Sequence, residues 1–182
     1  MRPFRTNCSA KKPKRVSGTA NVYYTYDSKS RGLRELERPH HPTSDSMIHK
    51  TTFAIRSYHT DAFGHVNNSR YLELLEEARW RYAEEIGLVE LLAAQELGFI
   101  IMDMRLRFRA PVREGEILEI QTSLITLGSA SGEVRQWANK LGHPQFALKS
   151  LFHFILIQRQ TGASVPIEGD IRNRLLDVIE VE

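Results

Sequence analysis

The most informative part of this chain is a polar loop that runs directly into an amphipathic segment, SYHTDAFGHVNNSRYLELLEEARW at residues 57–80. Apolar residues in and after its second half recur at spacings of three and four, the period of one helix face. These residues are Tyr71, Leu74, Leu75, Ala78, Tyr82 and Ile86. The pattern predicts a helix from about Ser69 to Ile86, capped by Asn68 or Ser69 and ended by Gly87.

Strand patterns lie on both sides of this helix. Residues 48–57 favour a β-strand before the loop, and a shorter helix is predicted from Leu88 to Leu97. Short helical character is also predicted for residues 170–178. Four further strands are predicted in succession, separated by Gly and Pro residues suited to turns; they span residues 99–109, 117–127, 132–140 and 145–159. One long helix on one antiparallel sheet is an α+β architecture.

Two surface patterns accompany these elements. In the strand at 99–109, apolar and charged residues alternate, which predicts one buried face. The apolar set is Met102, Met104, Leu106 and Phe108, and the charged set is Asp103, Arg105, Arg107 and Arg109. On the long helix, Glu77 with Arg81 and Arg81 with Glu85 are spaced as i,i+4 ion pairs, which predicts a solvated face opposite the apolar one.

The basic charge of the chain belongs to its N-terminal region. Residues 1–46 hold ten basic and four acidic residues, a net charge of +6, whereas residues 47–182 carry −3 within a total of +3. We predict that residues 1–46 are a mostly unfolded extension and that residues 47–182 form the domain. The extension also suits an organelle transit peptide, and its run at Lys11–Arg15 suits a nuclear address or a phosphate-binding patch. An upstream start preceding Met47 is a further alternative.

Several classes of protein are excluded or disfavoured by the sequence. The apolar stretches fall far short of the roughly 20 residues that span a bilayer, so no membrane span is predicted. The single cysteine, Cys8, cannot form an intramolecular disulfide, which fits a cytoplasmic protein. Nucleophilic-serine, P-loop and zinc-protease motifs are absent from the sequence. His59, Asp61 and His65 are close together, but their spacing does not enforce a ligand geometry, so we predict no metal.

The loop at 57–71 is where chemistry is expected. It places one carboxylate, Asp61, before a helix start, where free backbone amides and the helix dipole favour a developing negative oxygen. An ionised carboxylate there can activate water or attack a carbonyl carbon. The alternative is structural, with Asp61 capping a turn, Gly64 supplying a positive φ and the asparagines satisfying loop backbone. Spacing alone favours neither interpretation.

The quoted stretch resembles the signature of the hotdog-fold acyl-CoA thioesterases of the 4-hydroxybenzoyl-CoA thioesterase family. Within it, the chain is most similar to the bacterial long-chain acyl-CoA thioesterase III branch. The likeness rests on the Asp-x-x-x-His-Val-Asn-Asn-x-x-Tyr-Leu-Glu and Leu-Glu-Glu-Ala-Arg-Trp strings and on FRAPV at residues 108–112, and it covers residues 48 to about 180. The resemblance implies a hotdog fold, in which an antiparallel sheet wraps one long helix.

The resemblance also implies roles for particular residues. Asp61 matches the catalytic carboxylate of the family, which acts either as a nucleophile that forms an anhydride or as a base toward water. Backbone amides around Gly64, His65 and Val66 would hold the carbonyl oxygen. Some relatives carry a Tyr-His pair where this chain has Asn67 and Asn68, so that histidine role does not transfer.

Some roles stay open at this point. We expect Asn67 and Asn68 to shape the loop or position water, and His65 to be structural or to assist binding. Relatives of another branch place a catalytic glutamate on the main helix, where this chain has Glu76 and Glu77, but a solvated face is the preferred interpretation. The strand arginines at 105, 107 and 109 are either such a face or contacts for the phosphates of coenzyme A.

The expected activity is hydrolysis of medium- to long-chain acyl-CoA to fatty acid and CoA, without a cofactor. The expected partners are the small-molecule substrate and further copies of the chain, in a homodimer or homotetramer, and no nucleic acid. An acyl-carrier-protein thioesterase and a non-catalytic hotdog regulator that binds DNA through its tail are the alternatives, although the tail shows no pattern of a recognition helix. Chain length and the choice between anhydride and water activation are not predictable from the sequence.

Overall fold

The structure, a computed structural model, describes residues 48–180 and two short strands nearer the N-terminus. The chain divides into two units, residues 1–41 and residues 42–182. In the first unit, β1 (Tyr24–Asp27) pairs antiparallel with β2 (Gly32–Glu35). The sequence predicted neither strand. The rest of the prediction for residues 1–46 lies outside the described residues and stays a prediction.

The second unit is a five-stranded antiparallel sheet with three helices, which confirms the predicted α+β hotdog class. A 3₁₀ turn, Ser57–His59, follows β3 and precedes the loop that leads into α1. The strand order is β3-β5-β6-β7-β4, so β3 and β4 are the two edges. The elements are β3 (His49–Ala54), α1 (Asn68–Glu85), α2 (Leu88–Ala94), β4 (Leu97–Phe108), β5 (Ile117–Leu127), β6 (Ser131–Lys140), β7 (Phe146–Gln158) and α3 (Gly169–Leu176).

Helix α1 lies against one face of the sheet, called the inner face below. Its predicted apolar face is confirmed, since five of the six residues named for it are buried: Tyr71, Leu74, Leu75, Ala78 and Tyr82. The first four pack on inward-facing residues of β5 and β7, among them Ile120, Leu148 and Phe152. Leu88 and Leu92 of α2 join a second cluster with α3 at the other end of the sheet. Burial of this apolar area is the main source of stability.

A row of polar side chains crosses the centre of the inner face. Thr122 of β5, Gln136 of β6 and Ser150 of β7 are in register and buried. The Gln136 amide donates to Leu75 O and to Thr122 Oγ1, both at 2.9 Å, and its Oε1 accepts from Arg79 Nη1 at 2.8 Å. Buried polar groups cost free energy unless they are hydrogen-bonded, and this row satisfies its members by tying α1 to the sheet.

The structure corrects the prediction that β4 has one buried face. Met102, Met104 and Phe108 are about half exposed, because β4 is an edge strand that the helix does not cover fully. A β-bulge between Ile101 and Asp103 also places Met102 outside the regular pairing.

The ion pairs predicted on α1 are confirmed only in part. Arg81 Nε donates to Glu77 Oε1 at 2.9 Å, as predicted. The predicted pair of Arg81 with Glu85 is absent from the described contacts, since Glu85 instead contacts His49 Nε2 at 2.9 Å. The guanidinium of Arg81 lies 5.0 Å from the centre of the Phe53 ring.

Across the part of the chain that the structure describes, no helix is both long and apolar enough to cross a membrane.

Candidate active site

The loop before α1 is closed by its own backbone. Asp61 N donates to His65 O at 2.8 Å, and Gly64 N donates to Asp61 O at 2.9 Å. Gly64 has φ +70°, a left-handed conformation that a side chain disfavours, so glycine is required at this turn. An isolated bridge joins Thr60 to Val66 on either side of the turn. The loop is therefore a compact turn with Asp61 at its base.

The carboxylate of Asp61 is held by the amides of its own turn. Oδ1 accepts from Phe63 N at 2.9 Å and lies 3.4 Å from His65 N. Among the described residues, Oδ2 has no hydrogen-bond partner, and the side chain is partly exposed. One oxygen is thus fixed while the other can reach a water molecule or a carbonyl carbon. These bonds confirm that Asp61 caps its own turn, and they leave Oδ2 without a bond within the turn.

Helix α1 begins one residue before the position that the sequence predicted. Asn67, not Asn68 or Ser69, is the N-cap, and its Oδ1 accepts from Ser69 N at 2.8 Å. The backbone N–H of Asn67 donates to His59 O at 2.9 Å, which anchors the helix start to the preceding turn. Because the capping residue satisfies a helix amide, Asn67 has a structural role here.

A cleft of about 310 Å³ opens beside this helix start. Four of the six residues that the sequence nominated line it: Asp61, His65, Val66 and Asn68. Gly64 and Asn67 are not among the lining residues. The cleft therefore brings the carboxylate and the first turn of α1 together around one space.

The three amides nominated for the carbonyl oxygen differ in their bonding. Gly64 N donates to Asp61 O, and Val66 N donates to Val112 O at 2.8 Å. His65 N makes only the long 3.4 Å contact to Asp61 Oδ1. A substrate oxygen can compete with that contact more readily than with the two short backbone bonds. Of the three nominated amides, that of His65 is therefore the one least committed to an existing hydrogen bond.

The opposite wall of the cleft was missed as a site by the sequence reasoning. It consists of residues 108–112 and Tyr71. The FRAPV string marked this segment as part of the family likeness, but spacing gave no sign that it lies beside Asp61. The backbone bond from Val66 to Val112 holds the two segments together. Arg109 lines the cleft, whereas Arg105 and Arg107 lie on the exposed outer face of β4.

Two titratable groups near the cleft have shifted pKa values. Burial raises the pKa of Tyr71 to about 12, and the charge of Glu116 adds to this rise. Partial burial and the positive charges of Arg70 and Arg56 lower the pKa of His59, although Glu73 opposes them. The His59 Nδ1 atom accepts from Arg56 N at 3.0 Å, so this histidine serves the turn.

Residues 48–180 contain no group of three or more His, Cys, Asp or Glu side chains arranged to hold a metal ion. His59, Asp61 and His65 do not form such a group.

A second, apolar cavity of about 390 Å³ lies further along α1. Its walls come from α1, α2 and the sheet, and include Ala83, Ile86, Leu92, Phe99, Leu124 and Phe154. Trp80 lines it and is about half exposed. Three charged residues also line it: Glu76, Arg79 and Arg159. The Arg79 guanidinium lies 4.1 Å from the centre of the Phe152 ring, and burial lowers its pKa to about 10.

The fold and this site define a hotdog protein with a carboxylate at the entrance of its central helix. Comparisons with known proteins agree. Residues 55–175 match the model of the Thioesterase-like superfamily. The long-chain acyl-CoA thioesterase FadM of Escherichia coli (strain K12) is 30% identical over 131 residues, which are 72% of this chain and 99% of that protein.

Solved structures agree with the same assignment. The probable thioesterase YbaW from Escherichia coli has a TM-score of 0.66 and 31% identity, and the match covers 71% of this chain and 98% of that one. The protein TT1821 from Thermus thermophilus has a TM-score of 0.63 and 28% identity, over 72% and 97% of the two chains. The chain belongs to the Thioesterase-like superfamily and is a thioester hydrolase.

Proposed function

We propose that the protein hydrolyses acyl-CoA thioesters of medium to long chain to fatty acid and CoA, with Asp61 as the catalytic carboxylate. The observation that carries this proposal is the position of Asp61, which lines a cleft at the start of α1 and has one carboxylate oxygen held by loop amides. The similarity to a long-chain acyl-CoA thioesterase supports the substrate class.

The geometry suits two routes from the thioester to the acid. In the first, Asp61 Oδ2 takes a proton from water, and the resulting hydroxide attacks the thioester carbonyl. In the second, Oδ2 attacks that carbon itself and forms an anhydride, which water then opens. In both, the C–S bond breaks and the CoA thiolate leaves and gains a proton, while the His65 amide and the α1 start stabilise the carbonyl oxygen.

The apolar cavity is the proposed site of the acyl chain. It begins at Glu76, which is eight residues beyond Asn68 along α1 and hence about 12 Å further along the helix. Its volume of about 390 Å³ lies in the range of small-molecule sites. A chain that reaches the cavity gains from the burial of each methylene, which favours longer acyl groups.

We further propose that the active form is a homodimer, in which two copies pair at β4. This edge strand exposes Ile100, Met102, Met104 and Phe108 on its two faces, and an exposed apolar edge is a template for pairing with another strand. Pairing there extends the sheet, and it brings the inner-face residues of β4 that α1 leaves uncovered against a second copy.

The function is tested with the full chain and a series of acyl-CoA substrates from acetyl to palmitoyl, together with an aromatic acyl-CoA and the matching acyl-carrier-protein thioesters. Release of free thiol is followed by its reaction with a chromogenic disulfide. We expect kcat/KM to rise with chain length on CoA and to be lower on the carrier protein. Faster turnover of the carrier-protein thioesters would show that the carrier protein, not CoA, is the preferred acyl carrier. If neither class of thioester is hydrolysed, the proposed activity is contradicted.

A further inference from the structure

Tyr71, one of the residues that line the cleft, is buried and has an unsatisfied hydroxyl group. Its side chain is only 3% exposed, yet its OH has no hydrogen-bond partner among the described residues. A buried hydroxyl without a partner costs free energy, and such groups in a folded protein call for an explanation. The ring itself is held firmly, since it belongs to the main apolar cluster and lies 5.6 Å from the Phe108 ring.

The position of Tyr71 relates it to the proposed chemistry. It follows Asn68 by three residues on α1, so the two lie next to each other on one side of the helix. Both line the cleft with Asp61 and His65. From Tyr71 the wall continues through Phe108 to residues 109–112. Tyr71 and Asn68 thus belong to the helix that borders the cleft, while Asp61 and the His65 amide belong to the loop.

We infer that the Tyr71 hydroxyl is a hydrogen-bond donor for the thioester carbonyl oxygen of the bound substrate. This inference rests on the proposed function and adds a second donor to the His65 amide. A phenol hydroxyl donates one hydrogen bond, and a donor without an existing partner needs to break no bond when the substrate arrives. Negative charge develops on that oxygen in the transition state, so the donor contributes most to kcat.

The protonation state of Tyr71 suits this role. With a pKa raised to about 12, the hydroxyl stays protonated below that pH, and it is a donor throughout the neutral range. Other groups should therefore set the pH dependence of activity. Removal of the hydroxyl should lower the rate at every pH without shifting the pH values at which activity rises or falls.

The test is Tyr71→Phe, which removes one oxygen and keeps the ring. We expect kcat on the preferred acyl-CoA to fall by about 10²-fold, the effect typical of one lost oxyanion donor. KM should change less than about threefold and the pH profile should keep its shape. The thermal midpoint should stay equal or rise, because an unpartnered buried hydroxyl is removed.

Tyr82→Phe is the matched comparison for stability. Tyr82 is also buried on α1, but its hydroxyl donates to Val178 O at 3.4 Å, so its removal should lower the thermal midpoint. A Tyr71→Phe protein with kcat within twofold of the wild type would overturn the inference. A clearly lowered thermal midpoint of Tyr71→Phe, with KM and kcat both altered, would also overturn the inference. That result would show that the hydroxyl makes a stabilising hydrogen bond within the protein. Wild-type activity measured alongside shows whether the proposed function itself has failed.

Discussion

At the scale of single residues, neighbouring asparagines have separate tasks. Asn67 caps α1 through its bond from Ser69 N, whereas the exposed side chain of Asn68 lines the cleft and has no hydrogen-bond partner among the described residues. The two are identical in type and adjacent in sequence, so the sequence did not separate them. Only the helix start, one residue earlier than predicted, assigns the structural role to Asn67.

This division predicts different effects of alanine at the two positions. Asn67→Ala should lower the free energy of unfolding by about 1 kcal/mol, because a helix amide loses its cap. Asn68→Ala should leave stability within about 0.5 kcal/mol, as is usual for exposed positions. Urea denaturation measures both. Equal losses would show that the cap is not at Asn67.

At the scale of elements, α1 is attached to the sheet by polar as well as apolar contacts. The apolar spacing on α1 predicted which side faces the sheet, since period and burial follow from the same helix geometry. The link from Arg79 through Gln136 to Leu75 O was not predictable, because its members are 57 and 61 residues apart and register decides that they meet.

Gln136 is predicted to be essential to this attachment. Gln136→Leu should lower the free energy of unfolding by at least about 2 kcal/mol, because Arg79 Nη1, Leu75 O and Thr122 Oγ1 lose a buried partner. Gln121→Leu is the control, since Gln121 faces outward on the adjacent strand and bonds only Glu119. The control should change stability by about 0.5 kcal/mol or less. A stable Gln136→Leu protein would show that the row contributes nothing.

The limits of sequence reading are clearest on the cleft. Asp61, His65, Val66 and Asn68, which line the cleft, could be nominated from the sequence because they lie within eight residues of one another around a helix start. The sequence did not show that Tyr71 and residues 108–112 form the opposite wall of the cleft. Residues 108–112 are brought there by the backbone bond between Val66 and Val112, which joins segments far apart in the chain. Alternation on β4 indicated correctly that Met104, Leu106 and Phe108 share a face, but the bulge at Met102 was not predicted. Burial of that face did not follow, because alternation does not reveal that the strand lies at an edge.

At the scale of the whole molecule, exposed apolar residues on β4 point to pairing between copies. Met104→Lys should convert a dimer into a monomer, because a charge on an edge strand prevents pairing. Leu141→Lys is the matched control, since Leu141 is 48% exposed and Met104 47%, and Leu141 lies in a turn away from β4. Sedimentation velocity distinguishes these outcomes. A wild type that is monomeric at micromolar concentrations, or a dimeric Met104→Lys protein, would contradict the proposed interface.

The charge distribution agrees with the predicted division of the chain into an N-terminal extension and a domain. The excess of basic residues belongs to residues 1–46, while residues 47–182 carry −3. Attraction of an anionic CoA thioester therefore has to come from local groups near the cleft, such as Arg109 and the amides at the start of α1.

The central claim is that Asp61 carries the chemistry. Its most direct test is the kcat/KM of Asp61→Asn on the acyl-CoA that the wild type hydrolyses fastest, with the thermal midpoint measured on the same samples. Asparagine keeps the Oδ1 bonds to the loop amides but cannot act as base or nucleophile. We predict a loss of about 10³-fold or more with little change in the midpoint. Activity within a few fold of the wild type, in a protein equally stable, would contradict the role of Asp61.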